Sequence, residues 1–170
     1  IFELKNRMLS DFRYHKRHEY SELLADVYRF GVNASEDAET TIGNVMRRTL
    51  EAFSTFVYKK GIDEISISSE ILGTIGNEQY SEYFRHLMYR LVLNGESHSE
   101  ERIRSLTDDN DFLEMLSKAE KQRTARDIIC FIYLLNPSHV RAHLGSSGLS
   151  DFENVIETWC KDILFFAEGV

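Results

Sequence analysis

The run Ile128-Ile-Cys-Phe-Ile-Tyr-Leu-Leu135 is apolar at every position. A helix with no polar side must be covered all round, so this segment belongs at the centre of whatever fold the chain adopts. Its β-branched content would also suit a buried strand. The approach through Glu120, Lys121, Arg123, Ala125 and Arg126 favours a helix over Lys118 to Leu135, and Pro137 stops it. A long, fully wrapped central helix calls for other helices around it. One proline and 9 glycines among 170 residues leave little turn chemistry for an alternative β fold.

Helical spacing recurs along the chain. Phe2, Leu4, Met8 and Leu9 predict a helix over Ile1 to Leu9. The basic stretch Asp11-Phe-Arg-Tyr-His-Lys-Arg-His-Glu19 reads as a connection or as a strand-binding segment, since cations meet phosphates and rings stack on bases. Ser21 is placed to cap a second helix that Gly31 ends, and Asn33 to Glu39 reads as an acidic connector. Thr40 or Thr41 caps a third helix over Ile42 to Tyr58, with Ile42, Val45, Met46, Leu50, Phe53, Phe56 and Val57 on one side. Ile65, Ile67, Ile71 and Leu72 mark one or two turns after Ser68 or Ser69. Tyr80, Phe84, Leu87, Met88 and Leu91 form the apolar face of a further helix that Gly95 terminates. Ser138 to Leu144 predicts a short helix, and Phe152 to Phe166 the last one. The expectation is an all-α fold, a single bundle of about six to eight helices spanning the chain.

The formal net charge of −8 argues against broad, non-specific nucleic-acid binding, although a local basic site remains open. Cys130 and Cys160 lie in apolar helical patterns without metal-ligand spacing, which predicts buried free thiols of a reducing compartment, here the cytoplasm. No apolar run reaches the roughly 20 residues of a membrane span. The chain opens at Ile1 inside a periodic pattern, which is the expectation for a piece of something longer. Phosphate-loop, dinucleotide, zinc-finger and nucleophile-elbow patterns are absent, so any chemistry must come from Arg, Glu, His and Asn side chains.

Several polar groups stand out. Arg47 and Glu51 fall about 40° apart on the side of the third helix opposite its apolar stripe. An i, i+4 pair of this kind is either an exposed ion pair worth about 0.3–0.5 kcal/mol or half of a site. Arg90 and Asn94 sit on the last turn of the Tyr80 helix, which delivers His98 just beyond it. His139 and His143, one turn apart, have metal-ligand spacing but no acidic or cysteine partner spaced with them, and read as surface or capping residues.

Three pieces resemble one family: Gly43-Asn-Val-Met-Arg-Arg-Thr-Leu-Glu-Ala-Phe53, Arg90-Leu-Val-Leu-Asn-Gly-Glu-Ser-His98 and Ala125-Arg-Asp-Ile-Ile-Cys-Phe-Ile-Tyr-Leu-Leu-Asn-Pro137. In order and separation they are similar to the C-terminal helical region of bacterial AAA/ABC-type ATPases related to the anticodon nucleases of the PrrC and RloC type. The similarity covers about residues 40–140. It implies a HEPN-like helical domain, the C-terminal part of a longer ATPase, acting as a metal-independent endoribonuclease in phage defence. Arg47 and Glu51 match the arginine and the glutamate four residues on, and His98 the downstream histidine, although its distance from Glu51 is longer than in the nucleases. Arg48, Arg90 and Asn94 would contact the substrate. The implied partners are RNA, in particular tRNA, the ATPase head of the same parent, and a second copy across a two-fold axis. ATP and magnesium would belong to that head, with no cofactor or metal in this chain. The other reading is a non-catalytic helical module that docks on the ATPase or dimerises.

Overall fold

The computed structural model describes residues 2–5, 8–33, 36–93, 113 and 115–167. Apart from one small hairpin at its start, the chain is all-α. The described residues form nine α-helices, six of them of ten residues or more. The hairpin replaces the helix expected over Ile1 to Leu9. Strands β1 (Phe2–Lys5) and β2 (Met8–Asp11) pair antiparallel in the register Phe2↔Asp11, Glu3↔Ser10, Leu4↔Leu9 and Lys5↔Met8. Phe-Glu-Leu-Lys alternates apolar and polar, and over so short a window a period of 2 competes with one of 3.6.

Helix α1 (Phe12–Val32) runs unbroken through the basic stretch and through Ser21. The stretch is therefore not a connection, and Ser21 caps nothing. A helix anchored by buried Tyr20, Leu24, Ala25, Val27 and Tyr28 extends toward its N-terminus one residue at a time, without a new nucleation step. The short α2 (Glu36–Glu39) follows, within the segment read as an acidic connector. Then α3 (Ile42–Phe53) continues through a wider π-type turn, Ser54–Tyr58, giving the full span that the apolar spacing predicts. Lys59 closes it in the left-handed region at φ 55. Ile65 and Ile67 fall in α4 (Ile62–Ile67), and Ser68 caps α5 (Ser69–Gly73) by accepting from the Ile71 N–H. Helix α6 (Glu78–Met88) also widens at its end, over Tyr89–Leu93.

The remaining helices are α7 (Lys118–Leu135), α8 (Pro137–Ser146) and α9 (Phe152–Ala167). Helix α7 is the centre. Ile128, Ile129, Cys130, Phe131 and Ile132 are almost wholly buried, and α7 packs against α1, α3, α8 and α9. Phe84 of α6 meets Phe131 with ring centres 5.3 Å apart. Cys130 and Cys160 are buried free thiols, as the pattern predicts. Among the described residues no helix is long and apolar enough to cross a membrane.

Candidate functional site

Helix α3 buries Ile42, Met46, Leu50 and Phe53, which leaves Arg47 and Glu51 on its outer side. Arg47 Nε donates to Glu51 Oε1 at 2.9 Å, and the side chains are 43 % and 45 % exposed. A carboxylate on Nε fixes the plane of the guanidinium, and so the direction of its terminal N–H groups. Arg48 pairs with Glu19 of α1 at 2.7 Å, which ties α3 to α1. Tyr20, next to Glu19 in α1, belongs to an aromatic cluster. Tyr20 packs edge-on against Phe56, with ring centres 5.6 Å apart, and its hydroxyl is 3.0 Å from His139 Nε2. His143 Nδ1 is 2.8 Å from Ser21 Oγ, and the two imidazoles are 4.5 Å apart. The two histidines are thus half-buried seams between α8 and α1, not surface or capping groups. Burial, and then His143, lower His139 to about 4, so it is neutral at pH 7. Among the described residues no group of three or more His, Cys, Asp or Glu side chains could hold a metal ion.

A second constellation lies where α6 meets α7. A cleft of about 230 Å³ is lined by Tyr83, Arg90, Glu120, Arg123 and Asp127, among others. Tyr83 donates its hydroxyl proton to Asp127 Oδ2 at 2.7 Å. Burial raises the Asp127 carboxyl to about 6, against the opposing pull of the Tyr83 hydrogen bond and of Arg123, Arg90 and Arg126. Burial and the Asp127 charge raise Tyr83 to about 12. A carboxyl that titrates near neutrality beside two guanidiniums can exchange a proton next to a bound anion. Asp127 is absent from the residues that spacing singles out. The one signal for it is an acidic side chain directly ahead of the all-apolar run.

The expected site residues are therefore distributed. Arg47 and Glu51 come together on α3. Arg48 is engaged with α1. Arg90 stands on the α6–α7 cleft near Asp127. Asn94 and His98, with the Gly95 stop, lie outside the described residues. No protein-family model, no curated protein and no solved structure matches the chain.

Proposed function

We propose that this bundle is a HEPN-like ribonuclease domain, built around Arg47 and Glu51 and completed by His98, which cuts RNA under the control of an ATPase head in a cytoplasmic phage-defence system. The observation that supports this reading is the solvent-facing Arg47–Glu51 pair, bonded at 2.9 Å, within the Gly43–Phe53 motif. Such cleavage needs a base for the 2′-hydroxyl proton, an acid for the departing 5′-oxygen, and a cation against the charge growing on phosphorus. The 2′-oxygen bonds to phosphorus as the P–O5′ bond breaks, leaving a cyclic phosphate and a 5′-hydroxyl. Arg47, with its plane fixed by Glu51, binds the phosphate oxygens. His98 exchanges the proton, and Glu51 orients the partners. DNA is spared because it lacks the 2′-hydroxyl.

The test is tRNA cleavage by the full-length parent and by this chain, each beside Glu51→Gln and His98→Ala. An exposed i, i+4 pair contributes about 0.3–0.5 kcal/mol, so Glu51→Gln should leave the thermal midpoint nearly unchanged. Loss of cleavage at unchanged stability is the expected result. The net charge of −8 favours a second reading, a docking or dimerisation module of the ATPase. Absence of cleavage from the parent with its ATPase active would select that reading.

A further inference from the structure

The cleft between α6 and α7 holds groups that play no part in RNA cleavage by Arg47, Glu51 and His98. Asp127 is 6 % exposed, and its hydrogen bond among the described residues is the one that Tyr83 donates to Oδ2 at 2.7 Å. No buried side-chain oxygen or nitrogen of the described residues lacks a partner, so Asp127 Oδ1 opens onto the cleft. Arg90 and Arg123 stand on the cleft wall and act on Asp127 through space, without an ion pair to it. Arg90 lies in the wide turn after α6, is exposed, and forms no ion pair with a described residue. Arg123 lies against the Tyr83 hydroxyl, one turn of α7 before Asp127. The remaining groups near Asp127 are committed elsewhere. Arg126 donates to the Gly31 carbonyl at 2.7 Å and covers Trp159. The Cys130 thiol turns to the Ile156 carbonyl of α9. Glu120, also on the wall, accepts from Ser117 at the start of α7, which holds its carboxyl below the ordinary range. Two arginines therefore face Glu120 and Asp127. With Asp127 ionised the wall is balanced. With Asp127 protonated, one positive charge is in excess and the cleft gains a donor.

We propose that this cleft binds a small tetrahedral oxyanion, phosphate or sulfate, with Arg90 and Arg123 as its clamp and Asp127 as a carboxyl that takes up a proton when the anion enters. A guanidinium presents its N–H groups in a planar fork that matches paired oxygens of such an anion. Tyr83 occupies Oδ2, so the proton on Asp127 sits on Oδ1 and points a further donor at the anion. Three donor groups suit a tetrahedral anion better than a carboxylate, which offers two oxygens. The cleft, at about 230 Å³, is smaller than the roughly 300–1,000 Å³ of pockets for drug-sized ligands, so the ligand is small. Proton uptake follows from charge: an ionised Asp127 repels the anion, and the low dielectric of a half-closed wall strengthens that repulsion. Asp127 is ready for the exchange, because burial already lifts its carboxyl to about 6. The inference goes beyond RNA cleavage and does not depend on it, since binding and proton uptake are read directly.

The experiment is calorimetric titration of the whole chain with sodium sulfate, whose charge stays constant between about pH 5.5 and about pH 7.5, at an ionic strength fixed with sodium chloride. The variants are Arg90→Gln and Asp127→Asn, each confirmed as folded by circular dichroism. Arg85→Gln, exposed on α6 and outside the cleft lining, is the control. In the unsubstituted chain, binding should weaken about tenfold or more from the lower to the higher pH, as the protonated fraction of Asp127 falls. Midway between them, buffers of different ionisation heat should show part of a proton taken up with each sulfate. Asp127→Asn should bind about equally at both pH values and take up no proton, because its amide is neutral and donates at each. Arg90→Gln should weaken binding at least about fivefold at the lower pH. The control should bind as the unsubstituted chain does, and inorganic phosphate should displace the sulfate. No sulfate binding at the lower pH overturns the proposal, as does binding indifferent to Arg90→Gln or a pH dependence that Asp127→Asn keeps. An equal loss in the control would mark general charge attraction and overturn it too, and acetate displacing sulfate as well as phosphate does would overturn the tetrahedral fit. Sulfate binding of the expected kind in a chain that never cleaves RNA keeps the cleft and removes the nuclease. Cleavage without sulfate binding does the reverse.

Discussion

Burial and the neighbouring His143 hold the His139 imidazole at about 4 against an ordinary 6.5. The unfolded chain takes up that proton first, so the stability tied to neutral His139 is present above 6.5 and is lost as pH falls through about 4. Asp127 has the opposite sign. Its carboxyl is raised to about 6 from an ordinary 3.8, so the folded chain keeps a proton that the unfolded one gives up, and stability falls as pH rises through about 6. The two effects oppose each other over the same window and flatten the acid profile. His139→Gln should make acidification from pH 7 to 4.5 less harmful than in the unsubstituted chain, by on the order of 1 kcal/mol once solvent screening of its part-exposed ring is counted, and Asp127→Asn should make it more harmful, by on the order of 2 kcal/mol. Thermal midpoints at the two pH values check this, and slopes shifted in the same direction by both variants would contradict it. Neither environment is legible in the sequence. His139 meets Tyr20 across 119 positions, and Asp127 meets Tyr83 across 44. Arg47–Glu51 is legible because one helix alone sets its geometry.

At the scale of the element, the starts of α7 and α3 contrast. Ser117 Oγ accepts from the Glu120 N–H, and Glu120 Oε2 accepts from the Ser117 N–H at 2.9 Å, a reciprocal box that satisfies two otherwise orphaned donors. Thr41 occupies the same place ahead of α3 but caps nothing. Its hydroxyl instead donates back to the Ala38 carbonyl at 3.3 Å. Ser117→Ala should therefore cost about 1 kcal/mol and Thr41→Ala less than about 0.5 kcal/mol, read as shifts in the urea midpoint. Equal costs would show that the box adds nothing beyond propensity. Helices with a clear apolar stripe are legible in outline: the span Ile42 to Tyr58 and the face Tyr80, Phe84, Leu87, Met88 and Leu91 follow from spacing alone. The change to a wider turn after Phe53 does not, since the repeat of apolar residues hardly alters over one turn. The N-terminal hairpin and the basic first half of α1 are misread because a short window, or a polar one, carries no dominant period.

For the molecule as a whole, the all-apolar Ile128–Leu135 run determines the architecture, and its position at the centre is legible because no other placement hides every side of it. The aromatic residues differ in what they hold together. Phe131 is wholly buried against Phe84, whereas Phe56 is half exposed. Phe131→Ala should cost about 3–5 kcal/mol, a large share of the roughly 5–15 kcal/mol by which a domain is stable. Phe56→Ala gives up only part of a phenylalanine's burial and should cost about 1 kcal/mol or less. Urea titrations with an unchanged slope give both values on one scale. If the two substitutions cost the same, Phe56 belongs to the core as fully as Phe131 does. If they differ as stated, the fold depends on Phe131 and its neighbours, and the Tyr20–Phe56 edge contact adds only a surface contribution.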